Sequence, residues 1–229
     1  LVIFSTDHGM VDWRGKGELY DRGTEIALLA QPPKAWGTAP AACPRMIQNI
    51  DLTPTLLEAA DLPVPGDLPG RSFLPLLRGR PADYVPHEAI FLEWNFGGPQ
   101  DDYSPVRAIR TPRHKLIHNY GPHNYGLYRR EEIREDFTYA DITRKRFKDY
   151  GGDYMHPQAM RPEWELFDLE NDPDEQCNLL AEAGTDGDEA VSIRDDLAAR
   201  IDAWMRATDD HLLRDEIPRI PEAPGFHYH

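Results

Sequence analysis

The sequence predicts an α/β fold in two parts, with strand and helix alternating over residues 1–84 and a small antiparallel sheet plus a C-terminal helix over residues 85–229. The opening run Leu1-Val2-Ile3-Phe4 breaks into Ser5-Thr6-Asp7-His8-Gly9, the pattern of a buried strand that delivers polar groups at its C-terminal end. Beyond Arg80 the apolar runs are short and follow one another with turn residues between them, as consecutive sheet strands do. Near the end, Ile193, Leu197, Ile201, Trp204 and Met205 recur at helical spacing and make one apolar stripe, which reads as core packing. A chain of 229 residues with 40% hydrophobic content can bury a sizeable core, in one large domain or two small ones.

Each element has a local cause. Ile26-Ala27-Leu28-Leu29-Ala30 is a second short apolar run, ended by Pro32-Pro33, and is predicted as a second buried strand. Residues 32–44 read as loop. Asp51 is placed as the cap of a helix in which Pro54 is tolerable only within the first turn, with Leu52, Leu56, Leu57 and Ala60 near the face that packs on the sheet. Residues 61–80, rich in Pro and Gly, form a seam between the two parts, with Leu74, Leu76 and Leu77 as a short apolar anchor. Strands are predicted over 89–94, 106–110 and 115–120, with 111–114 as a tight connection, and a fourth over 165–169. Asn171-Asp172-Pro173 is a turn leading into a short helix that runs through Leu180. Residues 185–189 are a polar linker, Ser192 and Asp195 cap the final helix, and the prolines of 217–229 keep the end extended. In residues 121–161, Tyr125, Tyr128, Phe137, Tyr139, Tyr150 and Tyr154 alternate with many charges. That segment reads as a loop over the small sheet, with a substrate-facing insertion as the alternative.

Asp7 and His8 are the lead functional pair. A carboxylate beside an imidazole is a natural place to hold a metal, and open α/β sheets bind ligands at the C-terminal ends of their strands. Lys16 lies between Gly15 and Gly17, which let backbone and ammonium approach a bound group closely, and a cation beside a metal points to an anionic substrate. Taken singly, Asp-His-Gly is ordinary turn chemistry and Lys16 an ordinary solvated lysine; their combination is what indicates a site. His87, His114, His118, His123 and His156 match no zinc spacing with a cysteine partner and are expected at the surface or hydrogen-bonded, with His114 and His118 at exposed strand positions. Arg107 and Arg110 are candidates for holding the small sheet against the main domain by ion pairing.

Charge narrows the partners. With 25 Lys and Arg against 40 Asp and Glu the net charge is −15, and there is no basic block, so neither nucleic acid nor an anionic membrane is an expected partner. No segment reads as membrane-spanning, and the chain is expected to be soluble, whether cytoplasmic or periplasmic. Cys43 and Cys177 form no metal or redox spacing and are read as free thiols. The chain opens inside a strand without an initiating methionine, a cap or a turn, and is therefore expected to be a fragment or processed product of a longer protein.

Four landmarks, in one order, carry a resemblance. Asp7-His8-Gly9 followed by Gly15-Lys16-Gly17 with Tyr20-Asp21 is the first, and Asp51-Leu52-Thr53-Pro54-Thr55-Leu56-Leu57 the second. Arg107 to Ile117 is the third, and Trp164 to Glu175 the fourth. Together they resemble the C-terminal portion of the sulfatases of the alkaline phosphatase superfamily, over about Val2 to Leu180. The resemblance implies that residues 1–84 are the end of the α/β catalytic domain and residues 85–229 the small C-terminal subdomain. Trp164 to Leu180, the amphipathic helix after it and His114 to Asn119 are most similar to sulfamidases, which cleave N-sulfate from glucosamine of heparan.

The resemblance also implies roles. Family sulfatases bind one divalent ion, usually calcium, through two upstream Asp residues, a formylglycine and a pair that corresponds here to Asp7 and His8. Calcium prefers oxygen ligands, so a His in that pair coordinates weakly or takes a more nitrogen-tolerant ion such as manganese. Lys16 matches the family lysine that touches sulfate oxygens, where a compact ammonium stabilises charge accumulating there. The formylglycine comes from a Cys/Ser-x-Pro-x-Arg motif that this sequence lacks; Cys43-Pro44-Arg45 has its proline at the wrong offset and follows Asp7, and reads as loop. The implied substrate is a sulfated small molecule or sugar, and an oligomer is compatible with the sequence. The alternatives are a phosphodiester or phosphonate monoester hydrolase of the same superfamily, or a non-catalytic structural or interaction domain, the reading favoured for the chain in isolation.

Overall fold

The computed structural model describes residues 1–11, 14–96, 103–120, 162–181 and 187–214. The segment 121–161, His123 and His156 within it, and the proline-rich 217–229 lie outside the described residues. The chain divides into two compact units: Leu1–Ile90 with Arg110–His114 and Leu169–Glu175, and the described parts of Phe91–Ile109, Lys115–Asp168 and Gln176–His229.

In the first unit, β1 (Val2–Ser5) pairs antiparallel with β2 (Leu28–Gln31), Val2 lying opposite Gln31 and Ser5 opposite Leu28. The ladder continues past the strands, with the Thr6 N–H donating to the Ala27 carbonyl at 3.1 Å and the Ala27 N–H to Thr6 Oγ1 at 3.0 Å. Both runs are strands, as predicted, yet neither is buried: Val2, Phe4 and Leu29 are 65%, 56% and 68% exposed. A two-stranded ribbon has no central strand, and its alternating side chains are only half covered.

Asp51 does not act as predicted. It precedes α2 (Leu52–Ala59) but its carboxylate makes no bond to that helix. Instead Oδ2 accepts the Gln48 N–H at 2.8 Å and lies 2.9 Å from His87 Nε2, while Oδ1 accepts the Arg71 N–H at 2.7 Å. Asp51 and His87 are both buried, so His87 is a hydrogen-bonded core histidine. The buried face of α2 is Pro54 and Thr55, whereas Leu56 is half exposed. Thr55 explains the reversal: its hydroxyl donates to the Asp51 carbonyl and accepts the Phe73 N–H, drawing that face onto Phe73 and α3 (Leu74–Leu77). Phe73 and Leu74 are fully enclosed.

The second unit is built on a small antiparallel sheet. Its strands β3 (Ile90–Phe96), β4 (Tyr103–Arg110), β5 (His114–Asn119) and β6 (Trp164–Asp168) are neighbours in sequence order, as a meander requires. No short helix follows β6 among the described residues; turns replace it, organised by Asn178. The Asn178 Oδ1 accepts the N–H groups of Leu166 and Leu180, and its amide nitrogen donates to the Trp164 carbonyl. The final helix, α4 (Gly187–Ala207), begins before the predicted cap, so Ser192 and Asp195 lie inside it and Asp188 and Glu189 occupy its first turn. Its stripe does form the core: Leu197, Ile201 and Met205 are buried, and Trp204 stacks on Phe91 at 5.3 Å. No helix among the described residues is long and apolar enough to cross a membrane.

Arg107 and Asp210 form a buried ion pair in this unit. Arg107 Nε donates to Asp210 Oδ2 at 2.6 Å and a terminal nitrogen to Oδ1 at 3.0 Å, with further bonds to Asn95 Oδ1 and the Trp94 carbonyl. Arg107 therefore binds a residue three positions beyond α4 within its own unit. Burial raises the Asp210 carboxyl, but the bonds from Arg107 and the Leu212 N–H outweigh it and hold the group below the ordinary carboxylate value. Replacing Asp210 with Asn leaves the buried guanidinium without its counter-charge and is expected to cost about 3–5 kcal/mol in denaturant unfolding.

His118 is also more enclosed than its strand position predicts. Its ring stacks 3.6 Å from Trp164 and 3.8 Å from Tyr120, and burial pushes it down to about 4 from 6.5. The Glu163 carboxylate 3.7 Å away is exposed and screened by water, so burial decides. Because the folded state resists the proton, this stabilisation is complete above 6.5 and is lost as the pH falls toward 4. Melting temperatures measured across that window are expected to fall less steeply for His118→Phe than for the native protein.

Candidate active-site loop

The candidate site is the loop that joins β1 to β2. Asp7 and His8 leave the end of β1, which is tied from the side by Asn49: Ser5 Oγ donates to Asn49 Oδ1 at 3.0 Å and Asn49 Nδ2 to the Thr6 carbonyl at 3.3 Å. The Asp7 carboxylate is exposed, and its Oδ1 lies 3.7 Å from His8 Nε2. His8 Nδ1 lies 2.8 Å from the Gly9 carbonyl oxygen, which can only accept, so Nδ1 is the donor of that bond and Nε2 is the ring nitrogen left to face a ligand. A ring nitrogen engaged by a backbone carbonyl is how metal-binding histidines are commonly oriented. The donor set of Asp7 carboxylate and His8 Nε2 thus fits part of a divalent-cation shell. No cluster of three or more His, Cys, Asp or Glu suited to an ion is present among the described residues.

Backbone bonds close the loop on itself. The Gly9 N–H donates to the Gly23 carbonyl at 2.9 Å, the Met10 N–H to the Arg22 carbonyl at 2.8 Å, and the Lys16 N–H to the Met10 carbonyl at 2.8 Å. Lys16, exposed, is thereby fixed through its backbone to the strand end that bears His8. Two glycines make the closure possible: a Cβ on Gly23 would overlap the Gly15 carbonyl, and one on Gly9 the Arg22 carbonyl. The loop ends in α1 (Asp21–Thr24), a single turn.

Two residues that brace this loop were given no role from the sequence. Arg14 is buried, its guanidinium lies 3.8 Å over the Tyr20 ring, and its terminal nitrogen donates to the Glu175 carbonyl. Glu175 is 2% exposed, and its Oε2 accepts the Asp21 N–H at 2.7 Å. Arg110 reaches the same corner, donating to Asp21 Oδ2 at 3.2 Å. Asp7, His8 and Lys16 therefore share one loop, whereas Arg107 serves the core of the other unit. Cys43 and Cys177 are exposed free thiols, as read from the sequence.

Solved sulfatases share this fold. A 2-O GAG sulfatase matches with a TM-score of 0.62 at 21% identity, over 96% of this chain and 39% of that chain. A second structure, described as in complex with its substrate D-glucosamine-2-N,6-O-disulfate, matches with a TM-score of 0.56 at 20% identity, over 91% and 34%. The fold is that of the C-terminal region of a sulfatase. The chain belongs to the family described as N-sulphoglucosamine sulphohydrolase, C-terminal, whose model matches residues 6–148. It is 30% identical over 221 residues to an ulvan-active sulfatase of Formosa agariphila, covering 96% of this chain and 40% of the relative. It is also 30% identical over 206 residues to the human N-sulphoglucosamine sulphohydrolase, covering 80% and 38%. The chain thus spans about two fifths of the length of these relatives.

Gly23→Ala is expected to open the loop, since the added methyl meets fixed backbone on the opposite side. Amide hydrogen exchange at Gly9, Met10 and Lys16 should accelerate at least tenfold, for a loss of roughly 1–3 kcal/mol of local stability.

Proposed function

We propose that this chain carries the metal-and-lysine part of a sulfatase that hydrolyses sulfate esters or N-sulfates of sulfated sugars. Family membership supports the reaction class, and the relative named for N-sulphoglucosamine supports a sulfated sugar. The observation that carries the reading is the closed loop, which places a carboxylate, an imidazole nitrogen and an ammonium on one short, backbone-braced segment.

Asp7 and His8 Nε2 would hold the divalent cation, calcium or manganese, with the remaining donors supplied from elsewhere. When bound, that ion polarises the sulfate and offsets its negative charge. Lys16 contributes an ammonium that donates to sulfate oxygens and stabilises the charge that accumulates there and on the leaving oxygen or nitrogen. Gly15 and Gly17 add no side chain beside it, so a bulky sulfated sugar can reach the ammonium. Asp7 keeps its carboxylate exposed, so it is available to a cation without first breaking a buried bond.

In the complete protein, Lys16→Ala is expected to lower kcat/KM on an aryl sulfate roughly 30- to 1,000-fold, about 2–4 kcal/mol of barrier. Unchanged turnover would return Lys16 to the status of a loop lysine. Chelation should abolish turnover and calcium or manganese restore it, with Asp7→Asn requiring more metal for half-maximal recovery. An aryl phosphonate turned over faster than the aryl sulfate would move the reading to a phosphonate monoester hydrolase.

A further inference from the structure

We propose that Glu175, together with Arg14, is a positioning residue for Lys16; the proposal rests on the catalytic reading of that lysine given above. The geometry is a reciprocal clamp between two segments far apart in sequence. In one direction the Arg14 side chain donates to the Glu175 backbone carbonyl; in the other, the Asp21 backbone N–H donates to the Glu175 side chain at 2.7 Å. Residues 14 and 21 bracket Lys16, so the clamp grips the lysine-bearing stretch at both ends.

The energetics argue for more than packing. Arg14 and Glu175 both have left-handed backbones, φ 57° and 55°, a conformation that is unfavourable for a residue with a Cβ. Such strain persists only where the surroundings over-determine it, and it gathers at functional sites. Glu175 in addition places a carboxylate at 2% exposure, which is costly unless it is hydrogen-bonded. Arg14 is held by the Tyr20 face as well as by the Glu175 carbonyl, so its guanidinium cannot swing away to solvent without loss of both. The Lys16 side chain is exposed, and its amide donates to the Met10 carbonyl at 2.8 Å. The clamp adds to the turn bond from the Glu18 N–H to the Gly15 carbonyl at 3.0 Å by anchoring the stretch through Arg14 before the lysine and Asp21 after it. Because Lys16 works on a developing charge, its ammonium must be placed closely, and a misplacement of about 1 Å costs on the order of 10²-fold.

A double-mutant cycle in the complete protein tests this, with an aryl sulfate as the probe. Glu175→Ala is expected to lower kcat roughly 10- to 100-fold with KM changed less than about threefold, and Glu175→Gln, which keeps an oxygen for the Asp21 N–H, to recover most of it. In a Lys16→Ala background, Glu175→Ala should reduce turnover by no more than about twofold, because the group it positions is gone. An equal loss in both backgrounds, or Gln as damaging as Ala, overturns the positioning role while leaving the catalytic lysine intact. Lys16→Ala with native turnover overturns both readings. Should Glu175→Ala fail to fold, Arg14→Lys enters the same cycle, since lysine keeps the charge but loses the planar stack on Tyr20, and the same two outcomes decide.

Discussion

A fully buried carboxylate, Asp51, is the constraint on which the first unit depends. A charge removed from water is tolerable only when its oxygens are satisfied, and Asp51 achieves this by drawing in Gln48, Arg71 and His87 from three parts of the chain. The turn that this carboxylate holds also presents Asn49, which bonds to Ser5 and Thr6 at the end of β1. The placement of Asp7 and His8 is therefore downstream of a group that touches neither. Arg107 and Asp210 play the equivalent part in the second unit, joining β4 to the turn after α4.

Around this frame the site is assembled at two ranges. The short-range part is backbone: Gly9 to Gly23, Met10 to Arg22 and Lys16 to Met10, closures that the absence of side chains on Gly9 and Gly23 allows. The long-range part is polar side chain: Arg14, Glu175 and Arg110 converge on the corner at Tyr20 and Asp21. The last residue of the fourth sequence landmark, Glu175, thus bonds to the first landmark within one unit. Membership of the N-sulphoglucosamine sulphohydrolase C-terminal family fits this arrangement, since the matched residues 6–148 include the loop from its first polar residue onward.

Much of the fold was legible in the residues because it is local. The four strands of the meander follow from short β-prone runs between turns, and the α4 stripe from Leu197, Ile201 and Met205 at helical spacing. What misled was burial. Leu52, Leu56 and Leu57 advertise an apolar face, yet the hydroxyl of Thr55 turns α2 the other way by bonding to Asp51 and Phe73. Asn178 likewise replaces a predicted helix with turns by taking backbone N–H groups for itself.

From the sequence alone came Asp7, His8 and Lys16 as the candidate residues and their closeness along the chain, because candidates for metal-ligand and anion chemistry are chosen by residue type and spacing. Only the tertiary structure decided that Arg14 and Glu175 belong to the same site. Their bonds join residues separated by more than 150 positions, and hydrogen bonds of that range depend on where the folded backbone brings two segments together. The same holds for Asp51: its residue type suited a helix cap, but the partners within reach of its two oxygens made it the buried centre of the unit.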